Sequence, residues 1–237
     1  MAEKNDKTAD FSCTNCGLQS CYRRDKDLPK VCLSKVKVTP KELDKIVDLY
    51  RNDETVSKLA KTAAYIEGTF YGKLTRIEEI IVFAKEIGAK KIGIATCVGL
   101  IQEAKTFARI LEFNGFETYG ALCKVGSIDK TQVGIPEELK VECGRYESMC
   151  NPILQAKLLA KAKTDLNVVV GLCVGHDSLF MKYSKAPVTT LITKDRVTGH
   201  SPAAPLYLSN FYYTRLFKEK PELPKEAKKK IDDAAKK

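Results

Sequence analysis

The sequence contains no tryptophan and only two histidines among its 237 residues. No HExxH motif is present, which excludes a zincin-type metalloprotease. The glycine-rich GxGxxG fingerprint does not follow the first predicted strand, and no GxxxxGK[ST] loop occurs anywhere. The sequence therefore gives no ground for expecting a nicotinamide dinucleotide or ATP as a cofactor.

Long apolar runs are missing as well. No stretch approaches the roughly 18 uncharged apolar residues that a membrane span needs, so we expect no membrane association. The first twelve residues are polar and charged and have no apolar core of a secretory signal, which predicts a cytoplasmic protein. Nine cysteines in such a chain argue against a disulfide framework and indicate thiolates, metal ligands or buried thiols.

The charge balance is basic, with 40 Lys and Arg against 30 Asp and Glu and a net charge of +10. Such an excess favours an anionic partner, although a lysine-rich solvated surface is the simpler explanation. The basic residues are not interleaved with aromatic ones, as a stacking platform for single strands would require. We therefore expect a small-molecule substrate or an electron-transfer partner rather than nucleic acid.

The composition changes along the chain and predicts four segments. Residues 1–38 are polar and rich in cysteine, and residues 39–88 have the periodicity of helices packed on the main domain. Residues 89–217 alternate short apolar strands with amphipathic helices, and residues 218–237 form a basic tail. The alternation indicates βαβ units. We predict an α/β fold, a Rossmann-like parallel sheet with flanking helices, preceded by a cysteine-rich metal-binding segment and a helical lead-in.

Four short apolar stretches are the predicted strands, at 91–96, 118–122, 167–172 and 187–193. The third is apolar throughout, which is typical of a parallel strand buried on both faces. Amphipathic helices are predicted between these strands, and three more are predicted within residues 39–88.

The N-terminal segment holds four cysteines, spaced Cys-x2-Cys-x4-Cys-x10-Cys: Cys13, Cys16, Cys21 and Cys32. Nothing around them forms an apolar core, so we predict that a bound metal stabilises this segment. Zinc takes four tetrahedral thiolates, whereas a [4Fe–4S] cluster takes four thiolates that lie farther apart. The spacing matches neither the common zinc ribbon nor the bacterial ferredoxin run, and both metals stay open.

A second group of cysteines lies at the ends of predicted strands. Cys97, Cys123 and Cys173 each follow a strand, and Cys150 directly precedes a helix that begins with Asn-Pro. The carboxyl ends of parallel strands share one edge of the sheet, so these four thiols are predicted to converge there. Cys97, Cys150 and Cys173 lie near helix N-termini, which lower a thiol pKa. The arrangement favours a metal cluster or a nucleophilic thiolate; the alternative is small thiols packing at strand ends.

Polar side chains are expected at the same edge. His176 and His200 follow the third and fourth strands, where they are candidate proton donors or substrate contacts. Lys194 and Arg196, directly after the fourth strand, are candidates for holding an anionic substrate.

Several long motifs resemble one known family. They are CNPI, GLCVGHDSLF, KAPVTT and KDRVTGH, at residues 150–153, 171–180, 185–190 and 194–200. The family consists of cysteine-rich, presumed metal-binding proteins of anaerobic bacteria and archaea, treated as a domain of unknown function. The resemblance covers nearly the whole chain and implies a bound metal but no settled reaction. The predicted arrangement of cysteines, though not the sequence, is also similar to that of desulfidases. Those enzymes hold a [4Fe–4S] cluster by three cysteines and leave one iron free to bind a substrate sulfur.

Together these observations predict an oxygen-sensitive iron–sulfur enzyme. Cys97, Cys150 and Cys173 would ligate a cluster, with Cys123 as the fourth ligand or a free catalytic thiolate. The N-terminal site would hold a second cluster or a structural zinc. Two alternatives stay open: a non-catalytic metal-binding or electron-transfer protein, and a zinc-cage module that docks nucleic acid or a protein.

Overall fold

The structure is a computed structural model that describes residues 12–235. The chain divides into two compact units, Met1–Thr69 and Phe70–Lys237. The finer division into four segments stays a prediction. Within the described residues, none of the helices combines the length and the apolar character that crossing a membrane would require.

The first unit is helical. Its described helices are α1 (Ser20–Arg23), α2 (Leu33–Val36), α3 (Pro40–Asn52) and α4 (Glu54–Phe70), the last ending at the division between the units. A capping box starts α3: the Thr39 hydroxyl accepts from the Glu42 amide, and the Glu42 carboxylate accepts from the Thr39 amide. Proline follows at the first helical position, where its fixed φ suits a helix.

The second unit alternates helices and strands, as predicted. Its helices are α5 (Arg76–Glu86), α6 (Ile101–Phe113), α7 (Pro152–Lys161), α8 (His176–Tyr183), α9 (Ala204–Tyr207) and α10 (Lys225–Ala235). Its strands are β1 (Lys91–Thr96), β2 (Glu117–Leu122), β3 (Leu166–Val170) and β4 (Val188–Ile192).

The four strands form one parallel sheet in the order β2-β1-β3-β4, which confirms the predicted parallel arrangement. Thr96, the last residue of β1, is paired with Leu122 of β2 and with Val170 of β3. Three strands therefore end at the same level. The third strand ends two residues earlier than predicted because Gly171 has a φ of +66°, a left-handed conformation that leaves the extended strand.

Helices cover both faces of the sheet. Successive strand residues point to opposite faces, so each strand contributes side chains to the packing on both sides. On one face, strand residues pack against α5 and α6, and the buried set includes Ile92, Ile94, Val168, Val170, Ile80, Ala84, Phe107 and Leu111. On the other face, strand residues pack against α7 and α8, and the buried set includes Ala95, Ala121, Val169, Ala156, Leu159 and Phe180. Cys97 and Cys123 belong to this second cluster, where it reaches the carboxyl edge.

Candidate functional site

Main-chain hydrogen bonds join the loops that follow the first three strands. The Cys97 amide donates to the Gly171 carbonyl at 3.2 Å, and the Cys123 amide donates to the Thr96 carbonyl at 2.8 Å. The Asn151 amide in turn donates to the Cys123 carbonyl at 2.7 Å. The backbone alone therefore fixes the positions from which three of the sheet-edge cysteines project.

Gln155 of α7 adds a side-chain tie beneath these loops. It is fully buried, and its Nε2 donates to the Thr96 carbonyl at 3.1 Å and to the Ala121 carbonyl at 2.7 Å. The two carbonyls lie one and two residues before Cys97 and Cys123. Sequence reasoning missed this residue; its one signal is a polar side chain on a helix face that is otherwise apolar.

Three thiols from three different loops are in contact. Cys123 is hydrogen-bonded to both Cys97 and Cys150, so it is the central member of the group. Cys97 and Cys123 are buried, at 4% and 2% exposure, and Cys150 is half-buried. The Val98 amide donates to the Cys123 sulfur at 3.4 Å. The structure thus brings together three of the four cysteines predicted to converge.

Basic side chains surround these sulfurs. The Lys194 ammonium donates to the Cys97 sulfur, and His176, at the start of α8, is hydrogen-bonded to Cys150. Arg196 Nη2 donates to the Cys173 sulfur at 3.2 Å. We expected Lys194 and Arg196 to hold an anionic substrate; the structure places both of them against thiol sulfurs.

The contacts favour two thiolates and one protonated thiol. A hydrogen bond from Cys123, with Lys194 adding to it, lowers the pKa of Cys97 to about 4. Hydrogen bonds from Cys123 and His176 lower the pKa of Cys150 to about 3. The pKa of Cys123 is raised because its thiol donates its proton to a neighbouring sulfur, that of Cys150 or Cys97, and because the thiol is buried. One S–H donates to one acceptor at a time. The thiolate that lacks this hydrogen bond is therefore stabilised by its basic neighbour, which is Lys194 for Cys97 and His176 for Cys150.

Cys173 packs against the same cluster as these three thiols but is not one of the hydrogen-bond partners of Cys123. Its sulfur accepts from Arg196, and it is half-buried. Across residues 12–235, no three or more His, Cys, Asp or Glu side chains form a group that could hold a metal ion. The predicted ligand set of Cys97, Cys150 and Cys173, with or without Cys123, therefore stays a prediction.

A cavity of about 920 Å³ opens beside the thiols. Five of the lining residues are grouped by their contacts with one another, and this group is called the thiol end of the cavity: Cys150, Cys173, His176, Arg196 and Lys124. The rest of its lining is mainly apolar and includes Val133, Ile135, Pro136, Leu139, Leu223, Ala227 and Ile231. A cavity of this size and character is typical of small-molecule sites. Sequence reasoning missed Lys124, although it directly follows Cys123.

The structure separates the two histidines. His176 lines the cavity at the thiols, whereas His200 lines a different cavity of about 580 Å³, together with Leu100 and Ser201. The Asp195 amide donates to His200 Nδ1 at 3.1 Å, within a turn where His200 has a φ of +69°. That turn carries His200 away from the direction expected of a residue after β4. Its predicted catalytic role stays a prediction.

The N-terminal cysteines form no comparable group. Cys13 and Cys21 are exposed, and Cys16 and Cys32 are half-buried. Backbone hydrogen bonds from Gln19 and Leu18 lower the pKa of Cys16. All four lie within the part of the chain that the structure describes, where no metal-holding group is found. Metal binding by this segment stays a prediction.

Comparison with known proteins places the chain in a family. A family described as "Protein of unknown function (DUF1847)" matches residues 32–191, more than half of the chain. An uncharacterised protein of Methanocaldococcus jannaschii is 46% identical over 210 residues, which are 89% of this chain and 100% of the relative. No solved structure matches. The match includes all four sheet-edge cysteines, and the chain belongs to this family of unknown function, as the resemblance predicted.

Proposed function

We propose that the chain is a cytoplasmic iron–sulfur enzyme that acts on a small anionic substrate at the carboxyl edge of the sheet. One observation carries the proposal: Cys97, Cys123 and Cys150 come from three separate loops and meet beside a cavity. A group of thiols that merely fills a core needs no charged partners. Here basic side chains contact the sulfurs of Cys97, Cys150 and Cys173.

We also propose that the sheet is Rossmann-like. The chain passes from β1 to β2 on one side of β1 and continues with β3 and β4 on the other side. Ligands of open α/β sheets bind where the strand order reverses in this way, at the carboxyl ends of the strands. Cys97 and Cys173 follow the two strands at this switch point. The topology therefore supports a ligand site at these thiols.

The chemistry of the donor set fits an iron–sulfur cluster. Thiolates are the ligands that such clusters take, and the two pKa values lowered at Cys97 and Cys150 favour that form. Lys194, His176 and Arg196 would offset the negative charge of the cluster and its ligands. Cys97, Cys150 and Cys173 would hold the cluster, with Cys123 as the fourth ligand or a free thiol. A cluster with three cysteine ligands supplies an iron that is free to bind a substrate atom.

The protein's own residues would bind the substrate and manage its protons. Arg196 and Lys124 lie at the thiol end of the cavity, where their charge attracts an anion. His176 is hydrogen-bonded to Cys150 and lines the same cavity, so it is placed to hold a proton beside that sulfur.

A second candidate is a single zinc ion at the same thiols, in a protein with no catalytic role. Cys123 is hydrogen-bonded to both Cys97 and Cys150, which favours it. Zinc–sulfur bonds of about 2.3 Å in a tetrahedral site put the sulfurs only about 3.8 Å apart, close to contact distance. The cysteine sulfurs around a cubane cluster are farther apart, so the loops would have to separate to accept one.

Metal analysis of protein purified without oxygen tests both candidates. We expect about four iron and four sulfide at the sheet edge, lost in Cys150→Ser and retained in Cys143→Ser. Cys143 is exposed and does not line the cavity, so it is the matched control. Zinc without sulfide would support the second candidate. Protein with neither metal, or equal contents in the two variants, would overturn a metal site at these thiols.

A further inference from the structure

We infer that the cavity beside the thiols binds an amphiphilic anion, with its acidic group at Arg196 and Lys124 and its apolar body along the apolar part of the lining. This inference deepens the proposed function, on which it rests, by naming the class of substrate. It depends on the presence of basic and apolar side chains in the lining of one cavity, not on the metal.

The lysine and arginine side chains that line the cavity differ in their partners. Lys130 also lines the cavity, but it is paired with Glu147. Arg196 instead donates to the Cys173 sulfur, and Lys124 Nζ donates to the Ser148 carbonyl at 2.5 Å. Over the described part of the chain, neither of these two side chains has a carboxylate partner. The anionic neighbour of Lys124 is the Cys150 thiolate, and Arg196 contacts the Cys173 sulfur. An acidic group entering the cavity would accept charge-assisted hydrogen bonds from both side chains.

The other lining residues are mostly apolar and partly open to solvent, although Lys130, Glu142 and Glu147 are among them. Val133, Leu223 and Ile231 line it and keep 49%, 60% and 44% of their surface exposed. Apolar side chains gathered around a cavity in this way are costly in water and mark a site that an apolar group covers. A purely polar anion such as inorganic phosphate would leave this surface exposed.

The C-terminal helix α10 forms part of the apolar wall. Ala227 and Ile231 lie four residues apart within the helix and so share one side of it, and Leu223, two residues before the helix, lines the same cavity. The Lys230 ammonium is bonded to the Glu138 carboxylate, so the helix is tied to the segment that carries Leu139. Sequence analysis assigned no role to this tail. The cavity gives it one, as the surface against which an apolar chain packs.

Binding of simple amphiphiles tests the inference. The probes are the straight-chain carboxylates from butanoate to decanoate and the matched alcohol 1-octanol, titrated by calorimetry into anaerobically purified protein. Each added methylene should tighten carboxylate binding by up to about fourfold until the cavity is filled. Octanoate should bind at least about tenfold more tightly than 1-octanol, because only the carboxylate gains charge-assisted hydrogen bonds.

Substitution of the arginine supplies the matched comparison. Arg196→Gln should weaken octanoate binding about tenfold and leave 1-octanol binding unchanged, while Arg196→Lys, which keeps the charge, should retain most of the preference. Arg109→Gln, on the exposed surface of α6 and outside the cavity, should change neither. Urea unfolding of each variant checks that the fold is intact.

Two results would overturn the inference: equal affinity for octanoate and 1-octanol, or an Arg196→Gln variant that keeps the full preference for the carboxylate. Iron, zinc and sulfide are measured on the same samples. Metal loading with no carboxylate preference would contradict the substrate class alone. Carboxylate binding by protein that contains no metal would contradict the iron–sulfur proposal and support the inference that the cavity binds an amphiphilic anion.

Discussion

The two groups of four cysteines differ in a way that their sequence spacing conceals. The N-terminal group lies within twenty residues, yet the structure leaves its thiols exposed or half-buried. The sheet-edge group is spread from Cys97 to Cys173, yet three of its members are in contact. Closeness along the chain does not bring thiols together; a shared edge of a parallel sheet does.

The difference follows from what fixes the backbone in each region. At the sheet edge, strand ends lie at one level, and the loops after them are hydrogen-bonded to each other. Around the N-terminal cysteines, α1 and α2 have only four residues each. Such short helices contribute little stability of their own. The sheet-edge loops are ordered by the protein's own hydrogen bonds, whereas the N-terminal segment would depend on its metal for order.

The largest effect should come from a methyl group added beneath the sheet-edge loops. Gly171→Ala would put a Cβ 2.0 Å from Leu100 Cδ1, at a φ of +66°. We expect the free energy of unfolding to fall by about 2–5 kcal/mol, from left-handed strain and overpacking together. Urea unfolding followed by circular dichroism measures it. Gly17→Ala, between two N-terminal cysteines with no atom within 4 Å of its new Cβ, should change it by less than about 0.5 kcal/mol. Equal losses of unfolding free energy in the two variants would contradict the proposed difference in order between the sheet edge and the N-terminal segment.

A smaller loss of stability should follow removal of the buried Gln155 side-chain amide, which lies beneath the ends of the strands. Gln155→Leu deletes the hydrogen bonds to the Thr96 and Ala121 carbonyls and should reduce the free energy of unfolding by about 1–2 kcal/mol. Gln132→Leu, at an exposed position, is the control. A Gln155→Leu variant as stable as the wild type would show that main-chain hydrogen bonds alone hold the loops.

Thiol reactivity in the metal-free, reduced protein should distinguish members of the sheet-edge group. Cys150 lines the cavity and has a pKa lowered to about 3, so at pH 6 it is a thiolate within reach of iodoacetamide. Its alkylation rate should stay nearly constant between pH 5 and pH 7. Free cysteine, with a pKa of about 8.5, should react about tenfold faster per pH unit over the same range.

Buried Cys123 should react at least about tenfold more slowly than Cys150 at pH 6, because it is protonated and almost fully enclosed. Peptide mass spectrometry of partially alkylated protein gives both rates. Equal rates for the two thiols would contradict the assignment of Cys123 as the shared proton donor.

The smallest effect concerns the loop between β2 and α7, which carries Cys150 and part of the cavity wall. Hydrogen bonds from Thr131, the Glu147 amide and Lys140 hold the pKa of Asp129 well below its usual range. A carboxyl group whose pKa is lowered on folding stabilises the protein above its unfolded pKa of about 3.9, and this contribution is lost as the pH falls below that value.

Hydrogen exchange over residues 128–148, corrected for intrinsic rates, measures this effect. Protection should decrease from pH 5 to pH 3 in the wild type and should change less in Asp129→Asn. An identical pH dependence in both proteins would show that other groups control the loop.

The fold and the convergence of the thiols could be predicted because both follow from periodicity. Apolar strands separated by helices imply a parallel sheet, and residues directly after such strands share an edge. The positions of Cys97 and Cys123 needed nothing more. The family assignment likewise followed from motifs visible in the sequence.

The partners of each sulfur could not be predicted, because they depend on loop conformation. Left-handed residues such as Gly171 and His200 turn the chain in directions that hydrophobic periodicity does not encode. His200 therefore lies in another cavity, and Arg196 is turned toward Cys173. The central place of Cys123 is likewise a matter of side-chain packing between two loops.

The most direct test removes one group of cysteines at a time and measures the metal. Protein with Cys13, Cys16, Cys21 and Cys32 all replaced by serine, purified without oxygen, is analysed for iron, zinc and acid-labile sulfide. The comparison protein has Cys97, Cys123 and Cys150 replaced by serine. The account predicts about four iron and four sulfide in the first protein and none at the sheet edge of the second. Loss of all iron and sulfide from the first protein, with full retention in the second, would contradict it.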